Sequence, residues 1–255
     1  MNLTVIGSGT VAPAGDRVAP GHWVTEGSVR LLLDCGAGVL HRAAQLGIPW
    51  ERATHVAITH FHVDHWGELP HLLFALRWGT VPPRAVPLTL MGPRGIDARL
   101  STLAEAIGRW VREPEYGLDV IELVDGQTYE LAAGITLESC KTPHTEESLA
   151  YAVRAGDRRI VYTGDTGPSD ALAAWARGAD LLVAECSLPE SHAIDVHLTP
   201  RQAGRLARMA GARRLVLTHL YPVYGDIDAA AEAAAEFDGE VAVAADGDRF
   251  TIEVA

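Results

Sequence analysis

Between Ile58 and Gly67 the chain reads Thr59-His60-Phe61-His62-Val63-Asp64-His65-Trp66. Three imidazoles and a carboxylate packed this closely are a poor way to build a core, because without a cation the cluster works against its own charges. Neutral imidazole nitrogen and carboxylate oxygen are instead the donors suited to zinc and similar first-row ions. On an extended segment residues two apart share a face, so His60 and His62 can grip one ion. Asp64 and His65, where the chain turns toward a helix, can address a second. Two divalent ions about 3.5–4 Å apart can hold a bridging hydroxide at neutral pH and clamp the oxygens of a scissile ester. The chemistry offered is metal-assisted hydrolysis.

Such side chains need rigid supports. Apolar runs rich in Val, Ile and Leu predict strands at Leu3–Ile6, Val29–Leu33, His55–Ile58, Val86–Leu90, Ile135–Ser139, Ala150–Arg154, Arg159–Tyr162, Asp180–Ala184 and Arg214–Leu217. Helices are expected at Gly38–Leu46, Glu68–Arg77, Ile96–Gly108, Ala171–Ala176, Arg201–Ala210 and Asp228–Phe237, while Val120–Tyr162 reads as consecutive strands. Strands with interspersed helices suggest sheets covered by helices, an α/β (or α+β) class in one domain over residues 1–255. Thr199-Pro200-Arg201-Gln202 has the form of a capping box, which places His197 on a loop just before a helix. Gly7-Ser8-Gly9-Thr10-Val11-Ala12 has the form of a dinucleotide fingerprint, yet Pro13, Gly15, Pro20 and Gly21 follow where a phosphate-binding helix would have to begin. A tight turn is expected there.

The Thr-His-x-His-x-Asp-His run resembles the signature of the metallo-β-lactamase-fold hydrolases. That resemblance implies a four-layer αβ/βα sandwich of two mixed sheets and three further ligands, each past a later strand. His144 in Thr142-Pro143-His144, Asp165 in Thr163-Gly164-Asp165 and His219 in Leu217-Thr218-His219 occupy those places. By resemblance His60, His62 and His144 hold one ion, Asp64, His65 and His219 the other, and Asp165 bridges them. Zinc is the implied metal, with manganese or ferrous iron served by similar ligands. Gly7-Ser8-Gly9-Thr10 with Pro13 and Arg17, Leu33-Asp34-Cys35-Gly36-Ala37-Gly38 and Met91-Gly92-Pro93-Arg94-Gly95 resemble motifs of the ribonuclease Z-like branch. Ala184-Glu185-Cys186-Ser187 and His197-Leu198-Thr199 stand where that branch carries two further motifs.

Within this framework His197 is the candidate proton donor to a leaving oxygen, oriented by Glu185, and Asp64 can orient the nucleophile or accept its proton. Asp34 either fixes an imidazole tautomer or serves as a turn residue before Gly36. Trp66 either stacks on a substrate ring or packs the fold. His22 and His192 are placed at the mouth of the site, His41 and His71 on helix surfaces, and His55 in a strand. Ser187 and the three cysteines have no paired base, which argues against a covalent nucleophile.

Composition narrows the substrate. In 255 residues, 21 Lys and Arg face 33 Asp and Glu, a formal charge of −12 that disfavours broad nucleic-acid binding. Members that process transfer RNA carry a long arm between the third and fourth metal motifs. Here 21 positions separate His144 from Asp165, room for a hairpin only. The expected substrate is therefore a small or flexible phosphodiester, with no stable tRNA complex. A thioester, lactone, β-lactam or sulfate ester, and precursor tRNA, remain as alternative substrates. Other classes fit less well: diiron flavoprotein relatives replace members of the histidine set with carboxylate, and a metal-free interaction module would not keep seven ligands. The scattered Cys35, Cys140 and Cys186 oppose a disulfide framework, and neither a secretory leader nor an apolar run of the ~18 residues of a membrane span is visible. A cytoplasmic enzyme is expected, and a homodimer is compatible with these features.

Overall fold

The computed structural model describes residues 1–253. The N-terminal half builds strands β1 (Asn2–Gly7), β2 (Gly21–Glu26), β3 (Val29–Leu33), β4 (His55–Ala57), β5 (Leu88–Pro93) and β6 (Leu118–Leu123). It also forms helices α1 (Val39–Gln45), α2 (Val63–Trp66), α3 (Leu69–Trp78) and α4 (Ile96–Ile107). The second half supplies β7 (Thr128–Ala132), β8 (Ile135–Lys141), β9 (Leu149–Ala155), β10 (Arg158–Tyr162), β11 (Leu181–Glu185), β12 (Arg214–Thr218), β13 (Glu240–Val243) and β14 (Arg249–Thr251). Its helices are α5 (Asp170–Trp175), α6 (Pro200–Ala210) and α7 (Ala229–Ala234).

Two seven-stranded mixed sheets result, ordered β14-β1-β2-β3-β4-β5-β6 and β13-β12-β11-β10-β9-β8-β7. Strand periodicity explains how they stack. Leu31 and Leu33 of β3 face the core between the sheets, together with Tyr151, Val153, Ile160, Tyr162 and Val183 from the second sheet. The intervening Leu32 turns outward, where Val56, Leu69, Leu72, Leu73 and Leu76 cover it from β4 and α3. On the other side Val161 and Leu182 turn outward against Leu172 of α5 and Ala203 and Leu206 of α6. This alternation of two gives helix, sheet, sheet and helix layers, the expected four-layer αβ/βα sandwich.

Several expectations move. β2, β13 and β14 were not expected: His22, Thr25 and Glu26 interrupt the apolar pattern of β2, and the last two strands are short and largely polar. The strand expected at Val86–Leu90 begins at Leu88 and runs on to Pro93, because β6 offers it six parallel partners. A helical turn, α2, lifts Asp64 and His65 ahead of α3. The capping box at Thr199 is present, with both reciprocal hydrogen bonds. The Gly7-Ser8-Gly9 turn has a steric origin unrelated to dinucleotides: a Cβ on Gly7 would stand 1.9 Å from the Ala19 carbonyl oxygen. Among the described residues no helix is long and apolar enough to cross a membrane.

His22 is not at the mouth of any site. It lies fully buried on β2, edge-on to Tyr162 at 4.6 Å, with neither ring nitrogen hydrogen-bonded. Burial, reinforced by His65 and His219, lowers its pKa to about 3. The unfolded chain therefore takes up this proton first. The neutral ring's contribution is complete above the ordinary value of 6.5 and is lost as pH falls toward 3. In chelator-treated protein, wild type should lose about 2 kcal/mol relative to His22→Leu between pH 7.5 and 5, read by urea denaturation. A pH-independent difference would contradict the burial argument.

Candidate metal centre

Several elements that end at one edge of the sandwich deliver polar side chains to a common place. The loop after β4 brings His60 and His62, α2 brings Asp64 and His65, the loop after β8 brings His144, that after β10 Asp165, and that after β12 His219. One donor atom each from His60, His62, His144 and Asp165 lies within 4.8 Å of the others, and the same holds for Asp64, His65 and His219. All seven residues singled out in the sequence thus converge. Asp165 stands between the groups: Oδ1 is 3.2 Å from His65 Nε2 and 3.5 Å from His219 Nε2, while Oδ2 is 3.6 Å from His144 Nε2 and 3.8 Å from His60 Nε2.

The imidazoles are anchored from behind. His65 Nδ1 lies 2.8 Å from Asp34 Oδ2. His60 Nδ1 lies 3.1 Å from Thr59 Oγ1, which donates to the same Asp34 oxygen at 2.9 Å. His219 Nδ1 lies 2.8 Å from Ser187 Oγ, which donates to Glu185 Oε2 at 2.7 Å, and His144 Nδ1 is 3.0 Å from the Val196 carbonyl. With Nδ1 donating outward in each case, Nε2 presents its lone pair to the centre, the arrangement that suits a metal-ligating histidine. Asp34 adopts φ 59 and orients two imidazoles, so it is both the turn residue and the tautomer-fixing partner. Gly36 is required beside it: α2 passes so close that a Cβ would sit 1.9 Å from the Asp64 carbonyl oxygen.

The donor set fits divalent ions. His60 Nε2 and Asp165 Oδ1 are buried without a hydrogen-bond partner, the latter because its histidine contacts lack hydrogen-bond geometry. His65 Nε2 faces His219 Nε2 at 3.3 Å, and His144 Nε2 faces His62 Nδ1 at 3.1 Å. Two lone pairs at such distances need a proton or a cation between them. Burial, with His65 beside it, pushes the His60 pKa well below its ordinary value and keeps that ring neutral. Burial opposes the charge on Asp165, yet His219, His65 and His60 hold its carboxyl well below the usual range. On the inner side His60, His65 and His219 are buried, whereas His62 is exposed and His144 half-buried, so the centre opens toward the latter pair.

His197 adjoins this opening. Its ring centroid is 4.8 Å from that of His144 and 5.9 Å from that of His219, and its Nδ1 is 2.7 Å from Glu185 Oε1. Burial disfavours its protonation, but the Glu185 hydrogen bond and charge outweigh it and raise the pKa. Thr59, Ser187 and Tyr162, whose hydroxyl donates to Asp34 at 2.8 Å, were not expected to serve the site. Thr59 and Ser187 border the metal motifs in sequence, which is the signal they offered. Tyr162 offered none. Trp66 is half-buried edge-on to Phe61 at 5.6 Å within the layer around α3, a packing role. His192 is exposed with Nδ1 near Ser191 Oγ and belongs to none of the donor groups, contrary to its expected place at the mouth. His41 and His71 are exposed on helices and His55 is buried in β4, as expected.

Comparison with known proteins points to one family. The family model described as "Beta-lactamase superfamily domain" matches residues 29–220. A ribonuclease Z of Mycobacterium bovis is 30% identical over 96% of each chain. The metallo-β-lactamase fold protein YhfI from Bacillus subtilis superposes with a TM-score of 0.84 at 28% identity, covering 98% of each chain. The short form of human tRNase Z shares the fold, with a TM-score of 0.80 at 23% identity over the whole of both chains.

Elemental analysis after metal loading should find about two first-row ions per chain. Asp165→Ala should lose both, since its carboxylate faces both donor groups, while His55→Ala should retain them. Asp34→Asn should weaken binding about 10–100-fold, because two imidazoles lose their anchor. Metal titration followed by mass spectrometry distinguishes these outcomes.

Proposed function

The chain belongs to the metallo-β-lactamase-fold hydrolases of the β-lactamase superfamily, with ribonuclease Z-like relatives, and from that premise we propose that it hydrolyses a small or flexible phosphodiester. The observation that supports this reading is the Glu185–His197 pair beside the donor cluster, a carboxylate-held imidazole with raised pKa, a combination suited to protonating a leaving oxygen. Divalent ions held by His60, His62, His144, Asp64, His65, His219 and Asp165 would supply Lewis acidity and a lowered pKa for water. Zinc suits the donors best, and manganese or ferrous iron can occupy similar sites.

The chain's own residues complete the reaction. Asp64, 3.3 Å from His219 Nε2, would orient the attacking water or accept its proton. As the new P–O bond forms and the ester P–O bond breaks, the departing oxygen takes a proton from Nε2 of His197. Glu185 keeps Nδ1 in place and balances the imidazolium charge before transfer. The burial of the inner histidines excludes water from the back of the centre.

Two features favour a small substrate over precursor tRNA. The stretch between His144 and Asp165 holds only β9, β10 and their connection, an antiparallel hairpin in the second sheet. The net charge of −12 gives phosphates no broad attraction in its place. The same reading makes the substrate the partner, in a cytoplasmic setting.

Metal-loaded protein should hydrolyse bis-p-nitrophenyl phosphate measurably and leave precursor tRNA essentially uncut. His197→Ala should retain its metal and lose roughly 10²–10⁴-fold in turnover on esters with poor leaving groups. The loss should shrink for p-nitrophenolate, which departs without a proton. Efficient tRNA processing would overturn the substrate assignment, and an equal loss with both leaving groups would take the proton from another donor.

A further inference from the structure

We infer that the cavity beside Asp64 seats an uncharged, apolar ester arm, so that the diester cleaved here carries an aryl or branched-alkyl group on one side. This rests on the phosphodiesterase reading and specifies its substrate. The cavity measures about 490 Å³ and lies between the opening loop, which contributes Val11, Pro13, Ala14 and Val18, and the start of α2, which contributes Val63 and Asp64. That volume suits a small-molecule site, typically about 300–1,000 Å³. Asp64 belongs both to the cavity wall and to the donor group with His65 and His219, so an occupant would adjoin the reacting centre.

The wall chemistry selects the occupant. Val11 and Val63 are 52% and 66% exposed, leaving branched apolar carbon in water next to a polar centre. Covering them with an apolar group releases that hydration cost. The cation in the lining, Arg17, is tied to the wall through one nitrogen: its Nη1 donates to Ser8 Oγ at 2.6 Å and to the Ala244 carbonyl. An additional phosphate would therefore meet a wall that is mostly apolar carbon, with a single guanidinium already bonded through Nη1. The wall is also held in shape. Asp246 accepts from Ser8 N–H at 2.9 Å, Ser8 Oγ at 2.8 Å and Val18 N–H at 2.9 Å, which ties the opening loop at both ends. A second cavity of about 410 Å³, lined by Arg94, Arg99 and Lys141 with Asp125, Glu146 and Glu147, has the opposite character. The apolar preference belongs to the Asp64 side.

Calorimetric titration of metal-loaded protein with phenyl methyl phosphate and with dimethyl phosphate tests this directly, since both carry the same charge and differ in one arm. The phenyl ester should bind at least about tenfold tighter. Val11→Asp should reduce that ratio below about threefold, while Val86→Asp, at an exposed valine outside the cavity, should preserve it. Metal content of each variant is measured alongside. Equal affinity of the two esters in wild type, or an unchanged ratio in Val11→Asp, would overturn the inference. Because binding is read independently of turnover, an intact ratio in a protein that cleaves no diester would instead refute the phosphodiesterase reading.

Discussion

The centre depends on one buried carboxylate. Asp34 accepts from the Thr59 backbone at 2.7 Å and hydroxyl at 2.9 Å, from Tyr162 at 2.8 Å and pairs with His65 Nδ1 at 2.8 Å. These partners come from the loop after β4, from α2 and from the far sheet's β10, so a single side chain ties the two sheets to the ligand loops. A buried carboxyl with fewer donors would be costly, and one with four becomes a rigid reference point. Its position just past β3, in a left-handed conformation, turns the chain toward Gly36 and lets α2 pass against it.

Glu185 repeats the device from the opposite sheet. It receives Thr166 N–H at 2.9 Å, Leu198 N–H at 3.2 Å and Ser187 Oγ–H at 2.7 Å, and it holds His197. Each carboxylate reaches one histidine directly and another through a hydroxyl, Thr59 in one case and Ser187 in the other. This explains why Ser187, although close to two imidazoles, is a relay rather than a nucleophile: its proton points at Glu185. The outward nitrogens are thus committed, and the inward ones are left for a cation.

The centre is also directional. Its inner face is closed by His60, His65 and His219, its outer face opens at His62 and His144, and Asp64 joins it to the apolar cavity beside α2. Chemistry is placed where the sheets end, and selectivity falls to the loops around it. Such a division is compatible with one fold serving different substrates.

Four of the seven candidate ligands, His60, His62, Asp64 and His65, were legible from their own spacing, because imidazoles and a carboxylate packed so closely have few other uses. His144, Asp165 and His219, the candidate role of His197 and the layer order came from the resemblance of that run to a known family, and the structure accounts for the layers through the alternation of Leu31, Leu32 and Leu33. Edge strands β13 and β14 were not legible, since their stability comes from pairing with β12 and β1 and not from their own composition. The assignment of His22 to the mouth failed for a related reason: a histidine near a glycine turn reads as polar, and only the packing of β2 against Tyr162 decides that it is buried and neutral. Asp34 could be read two ways until the fold showed that the turn itself aims the carboxylate at His65. Tyr162 could not be read at all, because its partner lies 128 residues away and the two meet only when the sheets stack. Residue chemistry and local periodicity are written along the chain; which buried groups face one another is set by tertiary packing, where burial decides both charge state and partner.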